Sequence, residues 1–585
     1  MTAGGDKIEA PMGAVPRAAG RSLWQRVAIS PAVLILAAVL LLLIVPPLVY
    51  LAKTSVYTTT FTGEFDKFTF DFYVQLVKDP LFLTSLTNTA IYAIGSAAVA
   101  ILLGVVQAWI VERTNTPLRK YVFLVAIISL GIPSVLYTIS FLLLLGKSGP
   151  VNQLLDFFFD TGRNGINVYS MWGMIVIEGI DFAPLAFLLL SSVFRSTDAS
   201  FEEAAMMSGA DVRSTFRKVT LKLALPGVYA LLILIFIRAF ESFETPAFVG
   251  RPGGIYVLTT NIFENIQVDE PPNYGQAGAF AVALLIIVSG LLYWYNQLSR
   301  RAERYQTITG KGYRPRVMDL GRWRYLTAAV LVLLFLIIIG FPVGIVLYAA
   351  FQPFYEGVTL AGFSTMTFEN FHQVFKPGSF RDAIWNTVIL GVATASIVGP
   401  FTLLCAWLAV RRYRGAWLLD QLATMPLIFP SIVMGAAFLQ VFLESPIPLY
   451  GTLASIIIAS SVRYLPYGMR YSYAGVLQVH NELEEAAALA GASRPKTFLR
   501  VVAPLVAPAL VTCWIFVFLV STKAVSIPIL LSGPDSQVIA VTMFDLWENG
   551  QTVELAAVGV TWAAFMTVLS ALFYLLAKRY GLKFE

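Results

Sequence analysis

The sequence predicts an all-α polytopic membrane protein of about twelve transmembrane helices, arranged as two parallel six-helix units. Three observations carry that prediction. Of the 585 residues, 57% are hydrophobic and only 13% charged, against about a quarter charged in an ordinary soluble domain. The mean hydropathy of +0.73 over this length cannot come from one anchor of about 20 residues. The third observation is that the two halves of the chain repeat each other. The first two exclude a soluble globular protein, and the repeat sets the architecture. Cys405 and Cys513, the two cysteines, lie in apolar runs, and His372 and His480 are far apart in sequence, so neither a disulfide framework nor a metal cluster is expected.

Apolar runs of about 20 residues between polar or Gly/Pro-rich breaks place the spans near 31–52, 86–112, 121–146, 169–194, 223–245, 275–297, 325–350, 384–410, 417–443, 451–478, 504–527 and 554–577. Residues 1–30 are rich in Gly, Ala and Pro and carry Lys7, Arg17, Arg21 and Arg26, which reads as a cytoplasmic tail. The run from Pro31 is too long for the core of a cleavable signal, so it reads as a signal anchor. With the N-terminus inside, 29 of the 41 Lys and Arg fall on the inner side, 8 on the outer side and 4 within spans. That bias predicts an even number of spans with both termini cytoplasmic. The outer loops hold 16 Asp and Glu.

The first unit is expected over 31–298 and the second over 325–578, joined by a basic cytoplasmic linker, 299–324, and followed by a short tail, 579–585. Thr69-Phe70, Asn88-Thr89 and Ala108-Trp109 recur 298 residues later as Thr367-Phe368, Asn386-Thr387 and Ala406-Trp407, and Pro133-Ser134 recurs 297 residues on as Pro430-Ser431. Later in each half the spacing becomes 282, as for Pro184 with Pro466 and Pro226 with Pro508. Repeats with the same order of six spans are related by a pseudo-twofold along the membrane normal. Their interface is the natural place for a pathway.

A second kind of repeat lies on the inner side, in loops 195–222 and 479–503. Glu203-Ala204-Ala205, three residues and Gly209 match Glu485-Ala486-Ala487, three residues and Gly491. Over 24 aligned positions from each glutamate, ten residues are identical. Glu-Ala-Ala favours helix, and glycine permits a sharp turn. The pattern resembles the EAA loop of ABC importer permeases, and the fused two-unit chain is similar to their iron(III) transport members. The resemblance implies that each loop seats a short helix in a cytoplasmic ABC ATPase, two copies in all, and that a periplasmic binding protein delivers substrate. It further implies a bacterial inner-membrane location. Lys222 stands where the second copy has Pro504, so coupling is expected to differ between the halves. No phosphate-binding loop of the G-x-x-x-x-G-K-[ST] type is present. The chain is therefore expected to be no enzyme and to hold no cofactor, ATP and Mg residing on partner subunits. The basic charge is read as orientation, not as affinity for nucleic acid.

Ionisable groups within spans mark pathways or pairs. At the 282 offset, Asp181 corresponds to Arg463 and Glu241 to Lys523, with opposite charge in each case. The expectation is that Glu241 pairs with Lys523 across the pseudo-axis in an outer gate, with Asp181 and Arg463 a second pair. The alternative is pairing within one half, for example Arg238 with Glu241 or Glu244. The stretch from Glu241 to Tyr256 and the stretch from Leu546 to Gly550 resemble iron(III) importers, a group that shades into polyamine, thiamine, phosphonate and sugar-phosphate systems. A gradient-driven secondary transporter would share the duplication and the intramembrane charges, but not the two EAA loops.

Overall fold

The computed structural model describes residues 30–59, 65–160, 165–196, 200–303, 317–376 and 379–579. The expected tails and residues 304–316 of the linker lie outside these. Apart from one antiparallel hairpin, Tyr57–Thr59 with Phe65–Phe68, the named elements are helical.

In the first unit the helices used below are α1 (Pro31–Thr54), α2 (Pro80–Arg113), α3 (Val122–Gly131), α4 (Ser134–Leu145), α5 (Met171–Ser196), α6 (Ser200–Met207), α7 (Leu221–Phe240), α8 (Leu258–Phe263) and α9 (Tyr274–Glu303). The second unit repeats them. It has α10 (Trp323–Phe335) running through a π turn into α11 (Phe341–Ala350), then α12 (Ser379–Val410), α13 (Trp417–Thr424), α14 (Ser431–Leu443) and α15 (Leu453–Leu477). Next come α16 (Asn481–Leu489), α17 (Ala503–Lys523), α18 (Ile539–Glu548) and α19 (Thr552–Arg579). Local chemistry sets the starts: Pro80 occupies the first turn of α2, and the Asp79 carboxylate accepts the Leu81 N–H at 2.9 Å.

Among the described residues, ten helices are long and apolar enough to cross a membrane, or eleven if the bent pair Trp417–Ile428 and Ser431–Leu443 counts as one span. The expected continuous third span of each unit is therefore corrected. It breaks after Gly131 in the first unit, and in the second it bends by 105°. Pro133 and Pro430 have no N–H to donate, and each forces the residue before it, Ile132 or Phe429, into extended backbone. The expected tenth span is α15, a 25-residue helix outside the apolar set, which carries Arg463 and Arg470.

The recurring Asn-Thr pair has a structural job. Thr89 accepts the N–H of Leu258 at 3.0 Å, and Thr387 that of Ile539 at 2.9 Å, so a span-two hydroxyl caps the start of α8 or α18. Asn88 donates to the Tyr256 carbonyl and Asn386 to that of Gln537.

The units interlock. Span one of each lies against the broken third span of the other: α1 packs on α13 and α14, and α11 on α4. The buried positions of α1 include Leu36, Leu40, Ile44, Pro47 and Leu51, a stripe at helical spacing. Where the linker re-enters the described chain, Met318 pairs by backbone with the end of α2, its N–H donating to the Arg113 carbonyl at 2.9 Å. Nearby, the Gly321 N–H and then the Asn115 side chain donate to Asp319 and hold its carboxyl below the usual range.

Inside each unit, span two runs along span four through small residues, as close helix approach in a membrane requires. A methyl on Gly104 would stand 2.7 Å from the Ala186 Cβ. At the repeat-related site the glycine has changed helix: a methyl on Gly468 would stand 2.7 Å from the Thr402 hydroxyl. Gly104→Thr alone should therefore lower the thermal unfolding midpoint in detergent by several degrees. The double change Gly104→Thr with Ala186→Gly, which copies the second unit, should recover most of that loss.

Candidate functional site

The two EAA segments form helices α6 and α16, and both end in the same backbone device. In the first, the Ala210 N–H donates to the Ala205 carbonyl and the Gly209 N–H to that of Met206. In the second, Ala492 donates to Ala487 and Gly491 to Ala488. This is the Schellman arrangement, which needs a left-handed residue just past the helix. Gly209 and Gly491 supply it, at φ +90 and +81. The spacing of the motif thus has a geometric reason, since the last alanine of Glu-Ala-Ala offers the carbonyl that the residue after glycine reaches.

On these helices Ala204, Glu485 and Ala486 are exposed, and Glu203, Ala205 and Ala487 are half-buried. The Asn481 amide donates to Glu485 at 2.8 Å. Just before each glycine turn stands a large apolar residue in the open, Met207 at 89% and Leu489 at 91% exposure. These two residues are repeat-related. An apolar knob at the same place in both loops, beside charged side chains, has the character of a contact surface.

Between the units, the structure rearranges the expected charge pairs. Glu241, at the end of α7, accepts from Arg238 at 2.6 Å and lies 3.7 Å from Arg463 of the other unit. Arg238 also donates to the Tyr467 hydroxyl of the second unit. Lys523, at the end of α17, donates to the Leu130 carbonyl at 2.9 Å and feels the Asp181 and Glu244 carboxylates. Direct Glu241–Lys523 and Asp181–Arg463 contacts are not among the ion pairs of the described residues. Instead each charge faces the partner of its counterpart: Glu241 forms an ion pair with Arg463, and Asp181 and Lys523 attract one another over a longer distance, without an ion-pair contact among the described residues. The pseudo-twofold maps one couple onto the other with every sign inverted. The axis passes close by, because Ser526 donates to Glu244 at 3.4 Å although the two occupy the same place in their units.

The same charges sit on the broken helices. Lys523 caps the carbonyl end of α3, and Asp181 lies by Ser134 at the start of α4. In the other unit Arg463 donates to Ser431 at 3.1 Å, at the start of α14, and reaches the Pro426 carbonyl at 3.4 Å. Lys523 at the C-terminus of α3 has the favourable polarity, whereas Arg463 beside the start of α14 does not and is offset by Glu241. Sequence reasoning missed the serines as partners, although Pro133-Ser134 and Pro430-Ser431 were visible as a repeat. It also missed Glu178, buried in α5, which accepts from Thr245 at 2.6 Å; its repeat position is Ser460, so no repeated acid marks it.

Comparison with known proteins agrees with this duplication. The family described as "Binding-protein-dependent transport system inner membrane component" matches twice, over residues 100–303 and 399–582. A ferric transport system permease protein of Actinobacillus pleuropneumoniae is 29% identical over 416 residues, covering 70% of this chain and 59% of that relative's length. A second relative, an Fe(3+)-transport system permease protein of Haemophilus influenzae, is 22% identical over 71% of this chain and 78% of its own. A trehalose transport system permease protein of Mycobacterium tuberculosis is 29% identical over 233 residues, 38% of this chain and 77% of its own.

Two outcomes test the site geometry. Glu241→Lys leaves three cations together and should cost about 3–5 kcal/mol, the usual penalty for stranding a buried charge. The triple change Arg238→Val, Glu241→Lys and Arg463→Asp installs the residues of the other couple, Val520, Lys523 and Asp181. Its thermal midpoint in detergent should return to within a few degrees of the wild type.

Proposed function

Since the chain belongs to the family of binding-protein-dependent transport system inner membrane components, we propose that it is the permease of an ATP-driven importer, with its pathway between the two fused units. The observation that carries this reading is the pair of EAA helices, capped identically and presenting Met207 and Leu489 at equivalent places. Two such surfaces suit two copies of one cytoplasmic ATPase, which supply the ATP and Mg that the chain itself is not built to hold. The chain spans the bacterial inner membrane with both termini and both loops in the cytoplasm. A periplasmic binding protein delivers substrate to the acidic outer face.

The charge layer at the pseudo-axis closes the pathway in this conformation. Its two couples join span four of one unit to the end of span five of the other, so opening the interface must separate both. Substrate is iron(III), supported by two relatives described as ferric or Fe(3+) transport permeases and by an outer face that does not repel a cation. The trehalose relative supports the second reading, the same permease role for another small substrate.

Reconstitution with the neighbouring ATPase and binding protein tests this. Uptake of iron into proteoliposomes should require internal ATP and survive collapse of ion gradients; the opposite result would identify a secondary transporter. A binding protein that holds a sugar, polyamine, thiamine or phosphonate in calorimetry, and not iron(III), would reassign the substrate alone. Met207→Asp with Leu489→Asp should reduce ATPase co-purification at least tenfold while leaving the detergent-solubilised chain monodisperse.

A further inference from the structure

One ion pair per unit ties each EAA helix back to the membrane bundle, and neither pair belongs to the motif. Arg113, the last residue of α2, stands 3.4 Å from Glu202. Arg411, just past α12, stands 2.6 Å from Glu484. The arginines are 298 residues apart and the glutamates 282, the offsets of the repeat in those regions. In both units the arginine also grips the chain leaving span four, donating to the Phe194 carbonyl at 2.8 Å or the Val479 carbonyl at 2.9 Å. Beside each arginine an indole of span two packs on a phenylalanine later in the same loop, Trp109 on Phe216 and Trp407 on Phe498, with centroids 4.8 and 5.0 Å apart.

Consecutive residues on a helix point about 100° apart. Glu202 and Glu484 can therefore face the bundle while Glu203 and Glu485 face away. The EAA helix acts as an adaptor with one acid for each side. We infer that Arg113 and Arg411 are the positioning residues through which movement of each loop is transmitted to spans two and four. This inference rests on the permease reading and extends it to residues outside the docking motif.

The two tethers differ. Arg113 and Glu202 are almost fully buried, at 1% and 2% exposure, and burial pushes the Glu202 carboxyl up while Arg113 pulls it back. A second pair, Arg195 with Glu112 at 3.0 Å, braces the same corner. Leu477 and Val410 occupy those places in the second unit, so it lacks that brace. There the pair is partly open to solvent, at 14% and 13% exposure, and the Trp407 N–H donates to Glu484 at 3.0 Å. The second tether is the one that a substitution can release without stranding a fully buried charge.

The test uses the full complex in proteoliposomes, with ATP hydrolysis and substrate uptake measured together. Arg411→Gln should keep ATP hydrolysis within twofold of the wild type and cut uptake at least tenfold. Arg411→Lys should retain a third or more of uptake, and Arg411→Glu with Glu484→Arg should transport better than either single change. A nitroxide at Leu489→Cys should become more mobile in the Arg411→Gln chain, a readout that needs no ATPase. Unchanged uptake in Arg411→Gln, a parallel fall of hydrolysis and uptake, or unchanged label mobility would each overturn the inference. A wild-type chain that binds no ATPase would overturn the permease reading instead, while the label still reports on the tether.

Discussion

The apolar interior of a membrane leaves no water to satisfy a broken helix, so every interruption of a span must find partners within the protein. Pro133 and Pro430 interrupt the third span of each unit and expose helix ends near the centre of the bundle. The partners come from α5 and α17 at one break and from α15 at the other. Asp181 and Lys523 serve the first break; Arg463 serves the second and is met by Glu241 from across the interface. Because the couples cross between units, the satisfaction of local backbone and the association of the two halves are one interaction. Span one of each unit, laid over the other unit's broken helix, adds apolar packing around the same place.

The helical, duplicated fold was legible in the sequence because it depends on composition and period. Apolar runs and the recurrence of Asn88-Thr89 at Asn386-Thr387 report features that each unit settles within itself. The broken spans were less legible. Ile132-Pro133 and Phe429-Pro430 sit inside runs apolar enough to pass as continuous helices, and only backbone geometry separates a kink from a break. The charged positions could be found by offset, but their partners could not. An offset identifies which residues are equivalent, whereas pairing depends on distance from the axis. Glu241 and Lys523 are equivalent yet each lies nearer a residue of span four. Glu244 and Ser526, equivalent and in contact, are the ones beside the axis.

The inner loops show the same division. Glycine after the EAA helix was readable because a left-handed turn has a residue preference. The tethers at Arg113 and Arg411 were not, since an arginine at the end of a span reads simply as part of the positive inner face. Their meaning appears only when span two, span four and the loop are seen to converge on one guanidinium. The same arginines tie each loop to the bundle, Arg113 to Glu202 and Arg411 to Glu484.

The distribution of charge between the units has a consequence for assembly. At the central layer the first unit contributes only acids, Asp181, Glu241, Glu178 and Glu244, apart from Arg238, which Glu241 neutralises within the unit. The second contributes only bases, Arg463 and Lys523. Two copies of the first unit brought together would bury carboxylates against carboxylates, and two copies of the second would bury cations against cations. Complementarity exists only between unlike units, so the charge layer disfavours pairing of a first unit with another first unit and favours pairing with the second. Covalent fusion supplies the correct partner, and the segregation of sign rejects the wrong ones.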